Sequence, residues 1–208
     1  MTSRVTSLAT RGFIAASFAV FALAGIGCGS DDSPKLVGEF TASATPIAAR
    51  LVKLVPQSQS GSRVVVQAVI YGPDTTLDMY SFAFDVKIGN PTVLGFVPNS
   101  AVAGPALQAT GGQTISAIAG PDGADPSHIV VGVSKLGGGE GNGIGGTTEV
   151  VVSLAFDVLA EGTSTLAIAA TPTPTVLDSQ QPAQSIGSIT FDTANGTVTA
   201  ISTGGGGY

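Results

Sequence analysis

Tryptophan is absent from the 208 residues, and cysteine and histidine occur once each, as Cys28 and His128. Those counts exclude a zinc site of the usual Cys/His type and any disulfide within the chain. A Ser-His-Asp or Cys-His constellation would rest on a single residue with no motif behind it. Charged residues make up only 11%, eight basic against fourteen acidic, so there is no basic stripe for nucleic acid. Sustained helical periodicity is missing as well, beyond the first 28 residues.

What the chain has in quantity is punctuation: 29 Gly and 12 Pro separate short runs of Val, Ile, Thr, Ala and Ser. Such residues suit pleated, close-packed surfaces, and the spacing is that of an all-β protein. The clearest run is residues 79–97 (MYSFAFDVKIGNPTVLGFV). Phe82, Phe84, Val86 and Ile88 fall on one face, and Ser81, Ala83, Asp85 and Lys87 on the other. A turn at Gly89, Asn90 and Pro91 leads to a second apolar run ending at Val97. The pattern Ser81-Phe82-Ala83-Phe84-Asp85-Val86 returns as Ser153-Leu154-Ala155-Phe156-Asp157-Val158, which predicts two central strands under one packing demand.

Further strands are predicted at residues 49–55, 63–70, 113–119, 128–135, 148–159, 165–170, 185–191 and 197–201. Polar loops are predicted at residues 57–62 and in the Gly-rich stretch 137–146, and Asn195-Gly196 reads as a hairpin turn. Eight or nine short alternating strands form a sandwich or a barrel, and the long variable loops favour a sandwich.

The first 27 residues read as a targeting segment, with Arg4 and Arg11 ahead of an apolar stretch too short and too rich in Ala and Gly for a membrane span. Ala24-Gly25-Ile26-Gly27-Cys28 resembles a bacterial lipobox, although Gly25 stands where Leu is usual. The resemblance implies lipidation of Cys28; the alternative is an ordinary signal peptide that leaves Cys28 free. Residues 28–47 then read as a flexible tether and 203–208 as a Gly-rich tail without a fold.

Candidate chemistry is sparse. Asp85 and Asp157 could be drawn as a glycosidase pair, but each alternates against a buried ring position and points to solvent. Gly141 to Gly146 matches G-x-G-x-x-G yet opens a strand rather than a helix, so it reads as a flexible loop. Asp122, Asp125 and Glu140 could offer loop oxygens to calcium, without EF-hand spacing. No cofactor is expected.

The order of features resembles the cohesin domain family. Arg63 to Ile70, the Phe82-Ala83-Phe84 strand, Asn90-Pro91 with Val93-Leu94, Ile129-Val130-Val131-Gly132-Val133-Ser134, the Gly-rich loop, Leu154-Ala155-Phe156 and Gly162-Thr163-Ser164-Thr165-Leu166 follow in the family's sequence. Related carbohydrate-binding modules share much of the pattern. The resemblance implies an antiparallel jelly-roll β-sandwich of about nine strands over residues 48–202. It also implies a non-enzymatic binding role at the bacterial cell surface, with a dockerin-like or other surface protein as partner, while Gly29 rather than Asp after Cys28 in the lipobox-like segment favours the outer membrane. The face bearing Ser81, Asp85 and Lys87 would meet that partner, although a solvated sheet face would look the same. The alternatives are carbohydrate binding, which the shortage of exposed aromatic candidates disfavours, and a structural envelope subunit without a discrete ligand.

Overall fold

The computed structural model describes residues 35–203, and every helix or strand element among them is a strand. In chain order these are β1 (Lys35–Thr41), β2 (Leu51–Ser60), β3 (Arg63–Tyr71), β4 (Asp74–Met79), β5 (Ser81–Ile88), β6 (Leu94–Phe96), β7 (Val102–Ala103) and β8 (Thr114–Asp122). They continue as β9 (Asp125–Leu136), β10 (Asn142–Ile144), β11 (Thr148–Val158), β12 (Gly162–Ile168), β13 (Thr175–Leu177), β14 (Thr190–Phe191) and β15 (Gly196–Thr203). The segment expected to be a targeting sequence, Cys28 and the expected tail at residues 204–208 lie outside the described residues.

Two sheets face each other. The front sheet runs β1-β15-β12-β5-β9-β8, with β13 beside β5; the back sheet runs β14-β2-β3-β11-β6, with β7 beside β11. Every pairing is antiparallel except β14 with β2. The chain passes from β3 at the back to β5 at the front, to β6 at the back, to β8 and β9 at the front, and back again to β11. That alternation between layers is the jelly-roll arrangement.

The repeated motif occupies equivalent places. β5 is interior to the front sheet and β11 interior to the back, so both must bury one full side. Phe82, Phe84 and Val86 meet Leu154, Phe156 and Val158 in one core. The rings pack in pairs, Phe84 with Phe191 at 6.0 Å and Phe96 with Phe156 at 5.8 Å between centroids.

Several expectations are overturned. The stretch expected as tether contains β1, which pairs with β15 along its whole length, from Lys35 opposite Thr203 to Thr41 opposite Thr197. Phe40 lies in the core, and Gly38 is pressed so closely to Val158 and Val64 that a Cβ would collide with them. Gly196 is pinned in the same way, because an added Cβ would meet the Phe40 ring. β2 continues through the expected polar loop as far as Ser60, with an irregularity between Pro56 and Ser58 that accommodates the proline. β8 likewise runs through Gly120 and Pro121, which an edge strand tolerates.

The Gly-rich loop is structured: it carries β10, which pairs with β4 in a small separate ribbon. Of the strand expected at residues 185–191, only Thr190–Phe191 forms, parallel to β2. Asn195-Gly196 is therefore not a hairpin. It takes the chain from β14 in the back sheet to β15 in the front.

Candidate functional site

The outer face of the front sheet is defined by its register. Ser81 lies opposite Ser134, and Ser134 opposite Ser116; Ala83 lies opposite Gly132, and Gly132 opposite Ile118. The next rows are Asp85, Val130 and Gly120, and then Lys87 with His128. Alternation sends Phe82, Phe84 and Val86 inward and leaves this set outward. Small residues at Ala83 and Gly132 make the middle of the face shallow, while Ile118 (68% exposed), Leu136 (51%) and Val130 (44%) stand around it. Two depressions follow, one of about 320 Å³ reaching Ile118 and Leu136 and one of about 250 Å³ reaching Val130, Pro172 and Thr173.

The three residues proposed from sequence behave differently. Lys87 is exposed and Ser81 half-buried on this face. Asp85 is on the same face but is buried, which corrects the expectation that it meets solvent. The crossover from β12 to β13 lies across it: Ala169 N–H donates to the Asp85 carbonyl at 2.8 Å, and Pro172 and Thr173 close the flank. Its carboxylate receives His128 Nε2 at 2.6 Å. Asp157, the other half of the glycosidase pair considered above, is in the back sheet and is held by Arg63 Nε and Nη2 at 2.8 and 3.0 Å. The two carboxylates share no cleft.

Alternation could have pointed to Ile118, Val130 and Leu136, but the unbroken run Ile129-Val130-Val131 hides the parity of β9. Only the register against β5 shows that Val130 faces out.

Other polar residues are bound into the scaffold. Lys135 points inward at the end of β9, is 1% exposed, and donates to the Glu140 carbonyl at 3.0 Å. Burial lowers its pKa, with Asp78 pulling the other way. Burial pushes the Asp78 carboxyl up, but hydrogen bonds from Ser179 and Gly141 and the charge of Lys135 outweigh it and the net shift is downward. Asp78, Lys135 and the Gln113 amide thus pin the Gly-rich segment that was expected to be loose. Asp125 is lowered by the Ser127 hydroxyl and N–H. Asp122 and Asp125 flank the β8–β9 turn, whereas Glu140 follows the far end of β9, so the three calcium candidates are not brought together. Among the described residues no group of three His, Cys, Asp or Glu side chains could hold a metal ion.

A further hollow of about 620 Å³ opens on the back sheet beside Ser58, Ser60 and Ser62, around the Arg63–Asp157 pair. Its charges already satisfy one another. Exposed apolar side chains occur on both sides, Val102 and Leu159 toward the back, but only on the front sheet do three of them, Ile118, Val130 and Leu136, lie on adjacent paired strands.

The sequence matches no protein-family model and no curated protein. Among solved structures, it is similar to a type II cohesin domain from the cellulosome of Acetivibrio cellulolyticus, with TM-score 0.43, 16% identity, and coverage of 80% of this chain and 95% of that one. The sixth cohesin of scaffoldin B from Acetivibrio cellulolyticus, solved in complex with a Cel5 dockerin, gives TM-score 0.41 and 20% identity over 65% of this chain and 86% of that one. A cohesin module from a family 33 glycoside hydrolase of Clostridium perfringens gives TM-score 0.37 and 15% identity over 81% of this chain and 96% of that one.

Proposed function

We propose that this chain is a non-enzymatic binding module, held to the bacterial cell envelope through a lipidated Cys28, that docks a protein partner on the outer face of its front sheet. The observation that carries this reading is the exposure of Ile118, Leu136 and Val130 around the shallow Ala83–Gly132 row. A rigid, uncharged centre of this kind suits the buried core of an interface, and Lys87 at one end suits its polar rim. The sequence resemblance to cohesins makes a dockerin-like module the partner class. Ser81 stays in the proposed face; Asp85 acts beneath it by holding β5 to β9 rather than by touching the partner.

One observation favours binding over catalysis, and a second favours a protein over a sugar as the ligand. Asp85 and Asp157 are each committed to a basic partner, on different sheets. The phenylalanines of the central strands, Phe82, Phe84 and Phe156, are buried, so they offer no ring on which a sugar could stack.

The test is capture of secreted and envelope proteins by the immobilised protein, with calcium and again with chelator, in parallel with Ala83→Arg. Calcium-dependent capture of a protein bearing dockerin-like loops, lost in Ala83→Arg, is the expected result. Unchanged capture by the variant removes the face from the reading. Retention on insoluble polysaccharide without any protein partner replaces the reading with carbohydrate binding.

A further inference from the structure

The edges of the two sheets are protected unequally. In the back sheet one edge is β14, which covers only Leu51 and Val52 and leaves a stretch of β2 guarded by Lys53 and Pro56, and the other is formed by the short β6 and β7. In the front sheet one edge is β1, which carries Lys35 and Glu39. The opposite edge is β8, nine residues long, paired with β9 alone. From residue 114 to residue 120 it carries no charge and no proline; Pro121 and Asp122 come only at its end. Alternate N–H and C=O groups of an edge strand face away from the sheet, and natural proteins usually guard them with charge, proline or shortness. β8 has none of these over its central part.

We infer that β8 is a self-association edge, pairing antiparallel with β8 of a second copy of this chain about a twofold axis at Ala117. The partner is a second copy because the strand is complementary to itself in that register. Ile118 then opposes Ser116, Ile115 opposes Ala119, and Thr114 opposes Gly120, large against small at each step. Opposed residues share a face, so Ile118 and Ser116 meet on the outer side. Ile115, Ala117 and Ala119, already half-buried against the core, meet on the inner side. An interface of this kind is isologous and closes after two copies. It joins the two front sheets into one continuous sheet and sets two copies of the outer face side by side, so that a partner with two docking modules gains avidity. The inference does not depend on the docking reading, and its readout needs no partner.

The experiment is sedimentation of the purified full chain, with Ile118→Lys, Ala83→Arg and the cysteine pair Ser116→Cys with Ile118→Cys as variants, the cysteine variants also carrying Cys28→Ser so that no native thiol is present. The parent chain is expected to form a dimer that Ala83→Arg preserves. Ile118→Lys places two ammonium groups on neighbouring diagonal positions across the axis and is expected to weaken self-association by about tenfold or more. Ile118 is exposed in the single chain, so at concentrations where both proteins are monomeric this variant keeps the parent's unfolding midpoint. On mild oxidation the 116/118 cysteine pair is expected to form a covalent dimer, the two thiols losing two protons and two electrons to the added oxidant. Thr114→Cys with Ile118→Cys does not, because those positions are not opposed in this register. A monomer at about 1 mM, where even a contact with a millimolar dissociation constant is substantially populated, overturns the inference. So does a dimer that survives Ile118→Lys but is broken by Ala83→Arg, which would place the contact on the face rather than the edge.

Discussion

Asp85 and His128 are joined across β5 and β9, with His128 Nε2 2.6 Å from the Asp85 carboxylate, beneath the crossover that links β12 to β13. Asp85 is 5% exposed, so loss of the imidazole strands a carboxylate oxygen where water reaches poorly. His128→Ala is expected to cost about 1–3 kcal/mol of stability, measured by urea unfolding. Adding Asp85→Ala to His128→Ala should cost less than Asp85→Ala costs in the parent chain, because the orphaned carboxylate leaves with it. Strict additivity of the two single variants would show that the pair is not coupled.

The counterpart of Asp85 in the repeated motif has a different fate. Asp157 pairs with Arg63 on the outer face of the back sheet, where both side chains are largely in water. Asp157 holds the Arg63 guanidinium above its ordinary range through a hydrogen bond and its charge, but exposure removes most of the energetic consequence. Arg63→Ala is expected to leave the unfolding midpoint where it was. A clear loss of stability would mean that this pair, and not only the strand below it, anchors the β2–β3 hairpin.

The difference between the two aspartates marks how far the sequence can be read. Alternation along β5 and β11 is explicit, since each strand must bury one side against the other sheet, and this is why the two central strands are legible. What covers the outward side is a matter of tertiary path. The 169–174 segment crosses Asp85 because β12 and β13 lie on the same side of β5, and nothing in the local spacing of Asp85 records that. The same limit hides β1. Leu36-Val37-Gly38-Glu39-Phe40 is too short a pattern to stand apart from a linker until β15 supplies its partner. It also explains Asn195-Gly196, whose turn chemistry is genuine but whose flanking strands belong to different sheets.

β1 therefore belongs to the domain, and its removal has a measurable effect. Phe40 is 2% exposed and lies against Gly196 in β15. Phe40→Ala is expected to cost about 3–5 kcal/mol through lost burial and the cavity left behind. Gly196→Ala should cost about 1–3 kcal/mol for the opposite reason, because its methyl group enters space held by the Phe40 ring. In the double variant the methyl group gains room, so the two losses should sum to more than the observed cost. Denaturation midpoints of the four proteins decide this, and a negligible effect of Phe40→Ala would return residues 35–41 to the tether.

The connection after β1 supplies a pH-dependent fastening. Asp192 accepts hydrogen bonds from the hydroxyls of Ser43 and Thr45 and from the Ala194 N–H, and Lys53 Nζ approaches to 3.9 Å while donating to the carbonyls of Ser43 and Thr45. Burial alone pushes the Asp192 carboxyl up, but these donors and the Lys53 charge bring it below its ordinary value of 3.8. Because the folded value lies below the unfolded one, the unfolded chain binds the proton more readily, and stability falls with acid. The contribution is complete above about pH 3.8 and is lost as pH drops through the lower folded value. Asp192→Asn is expected to cost about 1–3 kcal/mol near neutrality, with the gap to the parent narrowing only below about pH 3.8. Asp74, Asp78 and Asp125 are also lowered, but they are common to both proteins and cancel in the difference. Urea midpoints from about pH 7 to about pH 2 measure that gap. A gap that stays constant would place the fastening in the neutral hydrogen bonds of Ser43 and Thr45 instead of in the ionised carboxylate, and one that closes well above pH 3.8 would assign it to a different titrating group.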